Sequence, residues 1–551
     1  MAMKCSNRVL WCWLGFLTLG GVQAAVAADF AKAAARVDSL LAKELYGATA
    51  TVAPQPTAAV DDATFLRRIS LDLTGELPTP EELTTFSLDP AIDKRTKAVE
   101  RLLAKKEFGQ NWARYWRDVI FYRRKEDRAL LSAPALVDYL TEQFNKGTSW
   151  DRIARDFITA TGAVTEQGST AIIFAQMADP ADTTAEVSRI FLGIQIQCAQ
   201  CHNHPTDRWK REQFHELAAF FPRIGIRPDK SGARPSFSVV SFDKPRGKRA
   251  PGATEPATLE HYMPDLKDPK AKGTLMQPVF FATGQKLELG LTDVQRRGRL
   301  ADWMTGSGDR WFAKAYVNRI WSELVGKGFF DPVDDMGPDR KPIAPQTFEY
   351  LASQFVASGH DVKWLFKVIT ATEAYQRQGR SRKDSGAAPY AAGCPQRLRA
   401  DQLYNALTTA LGIDESQVAP TANGPNLKNL KNQARNNPRF RMNLTFGYDP
   451  SLRREEVGGS IPQALFLMNS PELNRAINGH PPAGSLGKLL AQVSDNEAVT
   501  VELYLRCLAR EPKKQELASC LAHVRSAGER IAGFEDVLWA LINSTEFLHR
   551  R

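Results

Sequence analysis

Thr183-Thr184-Ala185-Glu186-Val187-Ser188-Arg189-Ile190-Phe191-Leu192-Gly193-Ile194 reads as a helix laid on a core. Val187, Ile190, Phe191 and Ile194 recur at helical spacing on one face. Thr183 and Glu186 have the spacing of a capping box. The apolar stripe stops before Cys198, which is therefore expected at or just beyond a helix end.

The same texture extends outward. Residues 30 to 225 read as successive amphipathic helices with short Pro, Gly and Asp connectors. Thr79-Pro80-Glu81-Glu82 is a helix start, with a capping residue, proline at the first helical position and acids in the first turn. From 226 to 288 Gly, Pro and Lys accumulate, as in Arg246-Gly247-Lys248-Arg249-Ala250-Pro251-Gly252, and strand-like runs are short: Ser236 to Val240 and Val279 to Phe281. Helices return from 289 to 551, with Trp303, Trp311, Phe312, Trp321 and Trp364 as expected core aromatics. No fixed-period repeat is present, which argues against a solenoid. The expected fold is mainly α: two helical lobes, 28–225 and 289–551, joined by an irregular segment, 226–288, with a few short strands.

Residues 1–27 read as a secretory signal. Lys4 and Arg8 precede an apolar run from Val9 to Val22, and Ala25-Val26-Ala27 supplies the small residues of a cleavage site near Ala27 or Ala28. The apolar run is shorter than a spanning helix needs, and no later segment is apolar enough to cross a bilayer. The expected location is the periplasm or the cell surface, with no transmembrane segment after cleavage. A formal net charge of +10 would suggest nucleic acid for a cytosolic protein. Export argues against that and favours anionic envelope polymers, an acidic redox partner or simply a solvated basic surface. The basic residues are scattered except around Lys428 to Arg441.

Of seven cysteines, Cys5 and Cys12 leave with the signal. Cys394, Cys507 and Cys520 form an odd set, in which Cys507 and Cys520 flank the Arg510-Glu511-Pro512 junction and are candidates to bridge two helices. The other two belong to Cys198-Ala199-Gln200-Cys201-His202. In this pattern two thiols form thioethers to the porphyrin vinyl groups, and the adjacent histidine ligates the iron, so the ring dictates the spacing.

Three readings of the site stand side by side. One is covalent haem c on Cys198 and Cys201 with His202 on the iron, and a sixth ligand from His215 or Met177, or none. The second is a zinc or other divalent metal site drawing on Cys198, Cys201, His202, His204 and Asp207. The third is a disulfide or structural loop. Asn203, His204, Pro205 and Asp207 can orient a ligating histidine, and Trp209 can shield one edge. Zinc-protease, nucleophile-elbow, phosphate-loop and dinucleotide motifs are absent. Asp331-Pro332-Val333-Asp334-Asp335 lacks calcium-loop spacing and reads as a turn and helix-capping segment.

Two sets of residues resemble a known family, the planctomycete-type secreted cytochrome-like proteins that join two domains of uncharacterised function. The first set is Phe65 to Gly75, Pro78 to Glu82, and Phe191 to Pro205 followed by Asp207-Arg208-Trp209. The second is Trp311-Phe312-Ala313, Val317 to Trp321, Gly328 to Asp335, Phe355 to Gly359, Pro462 to Pro471 and Trp539 to Phe547. Thr206 departs from the pattern, where an aromatic is expected, and the linker is short. The resemblance implies an exported envelope protein and haem on Cys198, Cys201 and His202. It also implies a co-encoded exported sulfatase-like partner, with a role in polysaccharide processing, and no particular reaction.

The reading that follows is an exported haem-bearing redox protein. Its alternatives are an envelope scaffold or binding protein with structural cysteines, and a metal-dependent hydrolase of envelope or polysaccharide substrates using His202, His204, Asp207 and an activated water.

Overall fold

The computed structural model of the chain describes residues 19–47, 56–122, 126–229, 236–243, 259–268, 270–306, 310–380, 388–413, 437–480 and 484–550. The charged start of the signal, Arg246 to Gly252 and residues 428–436 of the basic run lie outside the described residues. The described residues are mainly helical, as the sequence predicts. Among them no helix is long and apolar enough to cross a membrane.

Local chemistry sets the helix starts. α1 (Leu19–Leu45) buries Phe30, Ala33, Ala34, Val37 and Leu41. α2 (Asp62–Leu73) opens at Asp61, whose carboxylate accepts from the Thr64 amide at 2.8 Å. α3 (Pro80–Leu88) opens with the expected box: Thr79 Oγ1 accepts from the Glu82 amide at 3.1 Å, and Glu82 Oε2 accepts from the Thr79 amide at 3.2 Å. Then follow α4 (Lys94–Ala104), α5 (Lys106–Phe121), α6 (Glu126–Lys146), α7 (Trp150–Thr159) and α8 (Ala171–Ala175).

α9 (Pro180–Val187) corrects the expected capping box at Thr183 and Glu186. The helix starts a turn earlier, at Asp179, whose carboxylate accepts from the Asp182 amide at 2.9 Å, with Pro180 in the first turn. An aspartate cap followed by proline fixes both the first orphan amide and the backbone angle, and so outcompetes a threonine inside the run. Thr183 and Glu186 are buried within the helix. A π-turn over Ser188–Leu192 ends at Gly193, which is left-handed with φ 68°. Val187, Ile190, Phe191 and Ile194 are all buried, as their spacing requires.

The helices after residue 289 share a core with those before 225. α10 (Arg211–Ala218), α11 (Asp293–Thr305), α12 (Arg310–Val325), α13 (Pro345–Ala357) and α14 (Val362–Ala371) continue the order. Trp150 lies 4.5 Å, centroid to centroid, from both Trp116 and Tyr316, and 5.8 Å from Phe191. Tyr316 stacks on Phe355 at 5.2 Å. Trp321, Phe312 and Trp364 are buried in this core, while Trp303 and Trp311 pack partly exposed at its edge. A second core gathers Leu71 and Leu77 with apolar residues from Leu398 to Phe547. Its Cys507 is buried and its Cys520 half-buried; both thiols are free, and Cys520 Sγ lies 3.8 Å from the Tyr504 hydroxyl, so the suggested bridge does not form.

Both expected strand runs are present. β1 (Gly162–Ala163), β2 (Ile224–Asp229) and β3 (Ser236–Ser241) make an antiparallel sheet in the order β1-β3-β2. Further two-residue pairs are β4 (Tyr262–Met263) with β5 (Thr274–Leu275), and β6 (Val279–Phe280) with β7 (Gln285–Lys286). The segment is tied to its neighbours by Glu260, which accepts from Arg296 at 2.6 Å and from Arg223 at 2.9 Å.

Candidate functional site

Beyond Gly193 the chain enters a 3-10 turn, Ile196–Gln200. Ile196 and Ala199 are fully buried and anchor the turn, while Cys198, Cys201 and His202 face outward. Both thiols are free. The small side chain of Ala199 lets the turn sit flat on the core between two exposed cysteines.

His202 Nδ1 lies 2.7 Å from the Asn203 carbonyl oxygen. A carbonyl only accepts, so Nδ1 carries the proton and Nε2 holds the lone pair, the tautomer a metal-ligating histidine needs. His204 is occupied differently: its amide donates to the Trp209 carbonyl at 2.8 Å, and its Nδ1 accepts weakly from the Thr206 amide at 3.4 Å. Asp207 accepts from the Arg208 amide at 2.8 Å. Among the described residues no three His, Cys, Asp or Glu side chains form a group able to hold a metal ion. The structure thus places His202, His204 and Asp207 on one loop without assembling them into a chelate. Trp209 is buried against Phe281 at 4.8 Å and Trp311 at 6.3 Å, and so roots the loop.

Behind the turn the Gln200 carbonyl, between the two cysteines, accepts from His215 Nε2 at 3.0 Å and from Arg211 Nε at 3.2 Å. His215 Nδ1 lies 2.9 Å from His261 Nε2. Since His215 donates from Nε2, its Nδ1 accepts, and His261 is the donor. Both ring nitrogens of His215 are engaged, which removes it as a free sixth ligand. Met177 is half exposed in a left-handed backbone conformation after α8. Burial lowers the pKa of His215, and burial together with the neighbouring His215 lowers that of His261 to about 4.

Both imidazoles are therefore neutral in the folded protein near neutral pH, and the unfolded chain binds the extra protons first. Stability is fully present above the ordinary histidine value of 6.5 and is lost as pH falls towards about 4. Thermal midpoints measured across that window should fall steadily, and His261→Gln should flatten the decline. An unchanged slope in that variant would rule the pair out as its source.

The turn is braced from outside. Met336 N donates to the Gly193 carbonyl at 2.8 Å, and Gln195 Nε2 donates to Asp334 at 2.7 Å. Arg189 reaches Asp334 at 3.4 Å, Glu186 at 2.7 Å and the Val119 carbonyl at 2.7 Å. Burial acts to raise the pKa of Asp334, but Arg189 and Arg319 hold it below its usual value. Arg208 donates to Asp339 at 2.9 Å, and a Cβ on Gly337 would run into the Asp207 carboxylate. The acidic run 331–335 therefore forms a turn and a buried ion pair. It caps no described helix, because α13 opens at Ala344.

Gly193 is the hinge of this arrangement. A side chain there would be strained by the positive φ, and its Cβ would lie 2.7 Å from Met336 Sδ. Gly193→Ala should lower stability by about 1–2 kcal/mol in urea unfolding; a loss below about 0.5 kcal/mol would mean the brace relaxes without cost.

His261 was not legible beforehand, because it lies in the glycine-rich segment, far from the motif in sequence. Arg189 did carry a signal: a guanidinium beside an apolar stripe, three residues after a glutamate, needs a buried acid.

Residues 36–225 match the model PSCyt2, protein of unknown function (DUF1549), and residues 296–524 match PSD1, protein of unknown function (DUF1553). The chain joins these two uncharacterised domains. The cysteine turn lies in the PSCyt2 part, and its brace, Asp334 to Asp339, in the PSD1 part. No curated protein and no solved structure matches the chain.

Proposed function

We propose that this chain is an exported c-type-haem protein that transfers electrons in the cell envelope. The observation that carries the reading is the cysteine turn itself: two free, outward thiols on a core-anchored turn, followed by a histidine with Nδ1 bound to a carbonyl. The donor set fits haem. Cys198 and Cys201 would hold it by thioethers, and His202 Nε2 would ligate the iron. Bound there, haem supplies a one-electron couple. The protein's own contribution is orientation: Ile196 and Ala199 fix the turn, His215 and Arg211 hold the Gln200 carbonyl, and Asn203 sets the His202 tautomer. The name of the matched model, PSCyt2, is that of a cytochrome-like family.

The signal-like residues 1–27 support a location in the periplasm or at the cell surface, where an exported redox protein, or a sulfatase-like protein encoded beside it, is the expected partner. The test is a pyridine haemochrome spectrum of protein exported from a host with cytochrome c maturation. About one covalent haem per chain is expected. Haem-free protein, with a control cytochrome matured in the same cells, would leave the cysteines a structural role.

A further inference from the structure

The loop that braces the cysteine turn has a second face. There Lys327, Arg340, Lys341 and Arg453 surround a recess of about 470 Å³ together with Asp331 and Asp335. The lining holds four cationic side chains against two carboxylates. Phe330 and the half-buried Ile343 supply an apolar edge. The volume is that of a small-molecule site, and a recess whose lining carries an excess of one sign of charge concentrates the opposite charge.

The pairing within the recess leaves its guanidinium groups reachable. Arg340 meets Asp335 at 3.0 Å yet its side chain is 40% exposed. Arg453 turns one amino group to the Asp331 carbonyl at 3.2 Å, while its Nε stands 4.0 Å from the Asp331 carboxylate, beyond hydrogen-bond reach, with the side chain 48% exposed. A guanidinium presents paired donors that match an oxyanion, and the lysines add point charge.

We infer that this recess binds a small organic oxyanion, its charged group on Arg453, Arg340 and Lys341 and its body against Phe330 and Ile343. The inference does not depend on what Cys198 and Cys201 carry. It does set the ligand's position: the same loop contributes Asp334, Met336 and Asp339 to the brace, so the anion sits one loop away from the cysteine turn.

Calorimetric titration of the full mature chain tests the assignment, with benzoate as probe, inorganic sulfate as a bare anion and benzyl alcohol as the neutral control. Benzoate is expected to bind saturably and more weakly as salt rises, at least about tenfold tighter than benzyl alcohol. Sulfate should compete with it. The double variant Lys341→Gln, Arg453→Gln should lose about tenfold in benzoate affinity with an unchanged thermal midpoint. Arg380→Gln, in the separate arginine-lined cavity that also contains Arg67, Arg68 and Arg510, should bind as the parent does. No saturable binding, equal binding by the double variant, or loss confined to Arg380→Gln would each overturn the assignment.

Discussion

Chains carrying both Cys198→Ser and Cys201→Ser are expected to leave the cell without covalent haem, and each single variant with a weakened attachment. The two thiols are the only bonds by which the polypeptide would hold the porphyrin after denaturation, so acid extraction should strip the double variant completely. His202→Ala separates ligation from attachment: it should perturb the spectrum and redox potential while some thioether-linked haem remains. Since Cys198 and Cys201 are exposed and unpaired, serine should fit both positions with little change in stability. The unfolding midpoint of the haem-free double variant should therefore match that of the haem-free parent. A double variant that retains covalent haem, or a parent with none under competent maturation, would defeat the haem reading.

Asp334→Ala is expected to produce the largest loss of stability of any single change considered. Asp334 is fully buried, accepts from Gln195 and faces Arg189, itself buried. Removing one member of a buried ion pair strands its partner in a medium of low dielectric, at a cost of about 3–5 kcal/mol. Arg189 retains Glu186 at 2.7 Å, so the lower end, roughly 3 kcal/mol, is expected. Asp334→Asn keeps an acceptor for Gln195 and removes only the charge, so it should lose less. Urea midpoints at constant slope would measure both. If the alanine variant loses under about 1 kcal/mol, the brace is not what holds the turn.

Much of this architecture was readable from local pattern. The Thr79 start, the buried stripe Val187 to Ile194 and the strands at Ser236 and Val279 follow from spacing and composition over a few residues. The cysteine motif was equally plain, and its position just past a helix end came out as its flanking stripe required. The failures have two physical origins. At Asp179 two local signals competed, and the stronger cap lay a turn upstream. His261, Met336 and Asp334 support the turn through hydrogen bonds, to His215, Gly193 and Gln195, that span 46 to 143 residues of chain and that no periodicity encodes. The acids at 331–335 read as a turn and helix-capping segment because the buried arginine partner of Asp334, Arg189, lies in the other half of the sequence.

The shared aromatic core has a consequence for how this molecule can be built and inherited. Trp150 and Phe191 come from one matched domain, Tyr316 and Phe355 from the other, and together they bury one continuous surface. Either half expressed alone would present that surface to water, so the pair behaves as a single cooperative unit. Calorimetry should record one transition for this core, and a gene encoding only one half would yield an aggregating fragment. Separating the two domains is therefore expected to cost both halves their stability, unlike beads on a string.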